Sequence, residues 1–161
     1  MSLIKNIARI TVPFIGGNLI GKFAVKNARK DYRKNVKPPF SPPGYVFPIV
    51  WPILYTSMGI AYTIAKNTKN IKNTKSVTNS HYTQLGLNYL WSLLYFKYKL
   101  RGSALIESYV LLLAVIVMSI NFYKTNKFSG LIMIPYIMWS TFASYLTTGN
   151  WILNKDNPDY H

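Results

Sequence analysis

The sequence contains no cysteine, which excludes disulfides, thiol nucleophiles and cysteinyl metal sites. Acidic residues are nearly as scarce, with Asp31, Glu107, Asp156 and Asp159 the only four in 161 residues. No two of them share a candidate catalytic segment, which argues against paired-carboxylate chemistry. The two histidines, His81 and His161, lie far apart, so no histidine-rich metal site is expected. Charged residues make up 14% of the chain. An ordinary soluble domain carries about a quarter, of both signs.

Against these absences stand 19 lysines and arginines, a net charge of +15, and a composition that is still 50% hydrophobic and 16% aromatic. The bases are clustered: seven from Lys22 to Lys37, four from Lys66 to Lys75, three from Lys97 to Arg101, two at Lys124 and Lys127. Between the clusters, Pro38–Ala65, Ser76–Phe96 and Phe128–Asn154 are free of charge, and Ser103–Tyr123 carries only Glu107. Each is long enough for the roughly 20-residue helix that crosses a bilayer. A fifth stretch, Ile10–Gly21, is shorter. It becomes a span if Lys5, Arg9 and Lys22 snorkel to the headgroups. Its rival reading is a cleaved signal peptide with Gly16 and Gly17 as small residues.

The length fits one domain, 1–161. The expected fold is all-α, an integral membrane bundle of five transmembrane helices at about 5–25, 45–66, 80–98, 103–123 and 129–153. Segment Lys66–Ser80 reads as a connecting loop and 26–44 as a lid-like one. Eleven bases fall on the side of the first loop and C-terminus against eight opposite, which places that side in the cytoplasm by a thin margin. No helix pattern repeats, so an inverted-repeat transporter is not suggested.

Polar groups inside spans carry the functional information. His81, Gln84, Asn88, Trp91 and Tyr95 recur at steps of three or four on one helix face. Pro48, Trp51, Tyr55, Gly59 and Tyr62 form a second stripe, and Tyr136, Trp139, Ser140, Ala143, Thr147, Asn150 and Asn154 a third. For Gln84 and Asn88 the alternatives are interhelical hydrogen bonding and ligand contact. Trp151, near the end of its span, reads as an interfacial anchor. Glu107 is either a proton-coupled group or, three times more readily, a favourable partner of the helix dipole or a neighbour of loop bases such as Arg101. Segment 37–48 holds five of the nine prolines. Residues 38–43 are therefore expected to be stiff and extended, forming a lid over a pocket or a plain connector.

Specific residues then carry a resemblance. Lys37-Pro38, Pro42-Pro43, Val46-Phe47, Val50-Trp51, Leu54-Tyr55 and Met58-Gly59-x-Ala61 resemble the KPxWxPPxxVFxxVWxxLYxxMGxA segment of the TspO/MBR family. Gln84-Leu85-x-Leu87-Asn88-x-x-Trp91-Ser92 is similar to its QLxLNxxWS element. Pro135-Tyr136-x-x-Trp139-x-x-Phe142-Ala143 is similar to PYxxWxxFA, and Leu153-Asn154 fits the family's ending. There are departures. Phe40 replaces the tryptophan after KP, the segment before KP reads Asp31-Tyr32-Arg-Lys-Asn35, and Thr147 and Asn150 replace Asn and Ile. The vertebrate cholesterol-recognition pattern is unmatched after Tyr145.

The resemblance implies a membrane homodimer with a pocket beneath the first loop that takes protoporphyrin IX or a heme-type tetrapyrrole, and synthetic isoquinolines or benzodiazepines. Stripes and resemblance together give Phe40, Trp51, Tyr55, Gln84, Asn88, Trp91, Trp139 and Ala143 as ligand-binding residues. The family's proposed light-dependent porphyrin breakdown maps onto Trp51 and Trp139, the only catalytic candidates. The first functional reading is thus a receptor or sensor for flat hydrophobic ligands, with no required cofactor. The second is a porphyrin-degrading enzyme, against which stands the lack of a nucleophile–base pair, a metal site or a cofactor motif. The third is a transporter of tetrapyrroles or lipids. Nucleic-acid binding is outranked by loops facing anionic lipid. A bacterial cell membrane is the expected location, with the mitochondrial outer membrane as alternative.

Overall fold

The computed structural model describes residues 2–69, 72 and 74–160. The charge-free runs supply most of the long helices, and the breaks between them fall at or beside the basic clusters. In chain order the helices are α1 (Leu3–Ala24), α2 (Ala28–Lys34), α3 (Val46–Asn67), α4 (Thr74–Ser92), α5 (Arg101–Thr125), α6 (Lys127–Ile132) and α7 (Ile134–Asn154). A π-helical turn, Leu93–Lys97, prolongs α4, and a 3₁₀ turn, Pro158–Tyr160, follows α7. No strand occurs among the described residues.

The five expected spans fall on α1, α3, α4 with its π turn, α5, and α6 plus α7. Of these, α3 and α5 are long and apolar enough to cross a membrane. The others carry lysines and arginine (α1) or rows of amides and hydroxyls turned inward (α4, α7). Polarity is inverted relative to a water-soluble bundle. Ile106, Val110, Leu113 and Val117 of α5 are exposed, whereas Gln84, Asn88, Ser140 and Asn154 are buried. Lipid requires that arrangement, since apolar side chains can face it and unpaired polar groups cannot.

Two boundaries differ from expectation. The segment read as a loop up to Ser80 is already helical from Thr74, because Val77 is fully buried in the core and Thr78 accepts a hydrogen bond from Lys66 Nζ at 3.0 Å. The last span is broken at Met133: Pro135 has no N–H, so the chain restarts there as a new helix. The lid-like stretch contains α2, followed by the extended proline segment, and α3 begins at Val46 with Pro48 in its first turn.

Helix α1 packs along α3, α4 along α5, and α5 along α7. The α1–α3 crossing is close: a Cβ on Gly59 would sit 2.7 Å from the Ile10 Cα. Gly16 and Gly17, the small residues of the signal-peptide reading, are seats for the rings of Tyr89 and Tyr55. Short connections make successive long helices antiparallel. The loop 25–45, the turn 98–100 and the C-terminus consequently share one end, where Asp31 pairs with Lys99 at 3.6 Å.

Candidate ligand site

Near that end, three helices turn aromatic and amide groups toward one another. On α3 the spacing of Phe47, Trp51 and Tyr55 puts all three rings on one stripe, and α7 brings Trp139 against it. Ring centroids are 5.9 Å apart for Phe47–Trp139, 6.4 Å for Trp51–Trp139 and 5.7 Å for Trp51–Tyr55. Two of these contacts are edge-to-face, the geometry that the ring quadrupole favours. Tyr32 of α2 extends the series from above, edge-on to Phe47 at 5.5 Å.

A hydrogen-bonded ladder forms the floor. The Tyr55 hydroxyl donates to Asn88 Oδ1 at 2.6 Å, and Asn88 Nδ2 donates to the Tyr136 hydroxyl at 2.8 Å. Tyr136 in turn donates to Gln84 Oε1 at 2.8 Å, and Gln84 Nε2 reaches Met58 Sδ at 3.0 Å. All of these side chains are buried. The ladder ties α3, α4 and α7 together through the buried amides of Gln84 and Asn88, which make interhelical hydrogen bonds.

The proline segment forms the roof, clasped to α7. Val36 N–H donates to Asn154 Oδ1 at 2.9 Å and its carbonyl accepts from Asn154 Nδ2 at 2.8 Å. Pro38 lies on Gly149, where an added Cβ would come within 2.5 Å of it, and the Pro39 carbonyl accepts from the Tyr145 hydroxyl at 2.8 Å. Proline has no N–H to offer, so this segment is held through its carbonyls. The Tyr32 hydroxyl donates to the Pro42 carbonyl, and Lys37 Nζ sits 4.9 Å from the centre of the Tyr32 ring. Burial is the main reason the Tyr32 hydroxyl titrates above its ordinary value, which keeps it a donor.

An apolar cavity of about 390 Å³ opens between α3 and α7, lined by Val50, Ile53, Leu54, Pro135, Met138, Trp139 and Phe142. That volume lies within the range of small-molecule sites. The indole N–H of Trp139 is buried and has no hydrogen-bond partner among the described residues, and neither has that of Trp91. Buried indoles normally find one.

Of the sequence-selected residues, the structure thus joins Trp51, Tyr55 and Trp139 into one aromatic wall, with Asn88 and Gln84 beneath. Ala143 is half-buried one turn beyond Trp139. Trp91 belongs to a neighbouring stack, 5.1 Å from Tyr95. Phe40 is not brought in: its backbone is left-handed, φ 66°, and its ring is 90% exposed. Glu107 is buried with no hydrogen-bond partner for either oxygen among the described residues; Arg101 packs on Tyr95 and Tyr160 and makes no ion pair with it. Phe47, Tyr32 and Tyr136 complete the site. Phe47 was legible from its four-residue step to Trp51, and Tyr136 from its helical stripe, whereas Tyr32 joins through a loop geometry that no spacing encodes. Among the described residues no cluster of metal-ligating side chains occurs.

A helical fold of inverted polarity, with an aromatic wall between its helices, defines an integral membrane protein. The TspO/MBR family model matches residues 9–152, and the chain belongs to that family. It is 33% identical over 154 residues to the "Tryptophan-rich protein TspO" of Archaeoglobus fulgidus, covering 96% of this chain and 99% of the relative. With the "Tryptophan-rich sensory protein" of Cereibacter sphaeroides it shares 29% identity over 115 residues, 71% of each chain. With the human "Translocator protein" it shares 28% over 115 residues, 70% of this chain and 66% of the relative.

Proposed function

We propose that this protein is a five-span membrane receptor that binds a porphyrin, or a ligand of similar flat and hydrophobic shape, against the Trp51–Trp139 wall beneath the proline roof. The observation that carries the reading is the Trp139 indole N–H, buried and unpartnered on a residue that also borders the apolar cavity. Flat apolar ligands need aromatic walls with a few orienting polar groups. Trp51, Tyr55 and Phe47 are the walls, and the indole N–H is an orienting donor. Loop bases such as Lys34 and Lys37 stand near enough in the chain to the roof to meet carboxylates of a porphyrin. Assembly as a homodimer, and residence in a bacterial cell membrane, belong to the same proposal.

Protoporphyrin IX titrated into the detergent-purified protein, with tryptophan fluorescence as readout, tests it in darkness and under illumination. Saturable quenching with the porphyrin left intact is the expected result. A light-dependent product that disappears in Trp51→Phe and Trp139→Phe, with binding retained, replaces the receptor reading by the degrading enzyme. Absence of saturable quenching overturns both.

A further inference from the structure

A second, chemically opposite cavity lies at the same end of the molecule. It measures about 520 Å³ and is lined by Asp31, Lys34, Asn35, Lys99, Arg101, Asn157 and Asp159. Three separate pieces of chain build it: α2, the turn into α5, and the residues after α7. We propose that it is an oxyanion site for a phosphate group, with Arg101 as its principal contact.

Arg101 is 3% exposed, and its guanidinium lies 4.4 Å from the centre of the Tyr95 ring and 4.5 Å from that of Tyr160. Among the described residues its buried Nε has no hydrogen-bond partner, and no carboxylate lies within ion-pair distance of it. A guanidinium stays charged at any relevant pH, and a buried charge is costly unless paired and hydrogen-bonded. Two aromatic faces compensate the flat sides of the cation. Its Nε–H still calls for an acceptor, and the planar guanidinium fork matches phosphate.

Two further features agree. Arg101 is the first residue of α5, a 25-residue helix whose N-cap, Leu100, offers no side-chain cap, so the positive end of the helix dipole faces the same region. The cavity also holds more bases than acids: Lys34, Lys99 and Arg101 against Asp31 and Asp159, with Asp31 already paired to Lys99. The turn has unusual geometry, since the π-helical end of α4 leads into Lys99 with a left-handed backbone, φ 52°. Such turns and strained residues gather at functional sites. Carboxylates could pair with Arg101 too, but a phosphate offers more acceptor oxygens and more charge to a site with three cations.

The phosphate has two sources, an acidic lipid headgroup or a free phosphate. Protein purified in a neutral detergent is titrated with inorganic phosphate in one arm and short-chain phosphatidylglycerol in the other, with the thermal unfolding midpoint as readout. A saturable rise with phosphate assigns the free anion; a rise with phosphatidylglycerol alone assigns the lipid. In either case Arg101→Gln is expected to weaken the effective ligand about tenfold, the scale of a lost charged hydrogen bond. Lys34→Gln, on the exposed helix α2, provides a second variant should Arg101→Gln fail to fold, with a loss of about threefold expected. A midpoint that moves with neither ligand overturns the proposal. Shifts of equal affinity in wild type and both variants, or in Lys34→Gln if only it folds, also overturn it.

Discussion

Asn154 grips Val36 from both sides: its amide oxygen accepts from the Val36 N–H at 2.9 Å and its amide nitrogen donates to the Val36 carbonyl at 2.8 Å. One side chain at the end of α7 thereby reproduces a strand-like pair with a loop 118 residues earlier. Replacing Asn154 with Ala removes both bonds and leaves two backbone groups to find water. Stability is expected to fall by about 1–3 kcal/mol, read as a lower unfolding midpoint in detergent. Amide exchange at Val36 and Lys37 should accelerate with it. Unchanged exchange there would mean that the loop is held elsewhere.

The ladder beneath the aromatic wall makes an ordered prediction. Tyr136→Phe leaves the Asn88 amide nitrogen and the Gln84 oxygen unpaired, whereas Tyr55→Phe leaves only the Asn88 oxygen. Each buried orphan costs about 1–3 kcal/mol, so the Tyr136 variant should unfold at the lower temperature. The reverse order would show that the ladder is not the connection that matters.

Two glycines on facing parts of the structure should respond in opposite directions to one methyl group. Gly59→Ala drives a Cβ to 2.7 Å from the Ile10 Cα, a backbone atom that cannot rotate away. Helices α1 and α3 must separate, and a loss of about 1–3 kcal/mol is expected, as for other overpacked interiors. At Gly21 no atom of the described residues lies within 4 Å of the new methyl, and Gly21→Ala should be neutral or gain up to about 1 kcal/mol from helix propensity. Thermal unfolding of the two variants side by side decides the matter.

Exposure separates two aromatic residues that the sequence had grouped. Phe40→Ala removes a ring that is 90% exposed and should change protoporphyrin IX affinity less than about twofold. Trp139→Ala removes wall area and the orienting N–H together, and should weaken binding by about tenfold or more. Trp151→Ala, by contrast, should leave the affinity near that of the native protein. Comparable losses at all three positions would place the ligand elsewhere.

Helix content and the aromatic wall were legible because both rest on periodicity. Charge gaps mark the helices, and steps of three or four gather Trp51, Tyr55, Asn88, Trp91 and Trp139 onto inward stripes. What periodicity could not reach lies in turns. Phe40 was chosen by its place in a motif, but its left-handed backbone points its ring outward, a property of one dihedral angle. The polar residues from Thr74 to Ser80 were read as loop because their composition is hydrophilic, whereas burial of Val77 and the bond from Lys66 hold them in helix. Arg101 was counted as one base of a loop. Its burial between two tyrosines depends on Tyr160, near the far end of the chain, and local patterning carries no trace of that.

The roof and α7 run in opposite directions, so their contacts are nested: Val36 meets Asn154, Pro38 meets Gly149, Pro39 meets Tyr145, and Phe47 meets Trp139. That order makes the entrance a zipper rather than a hinged door. Releasing Asn154 frees the outermost tooth and leaves the inner contacts of Pro38, Pro39 and Phe47 in place. If the protein is the receptor proposed above, admission is graded by how many teeth have opened, so a slim molecule and a broad one would pass the same roof at different free-energy cost.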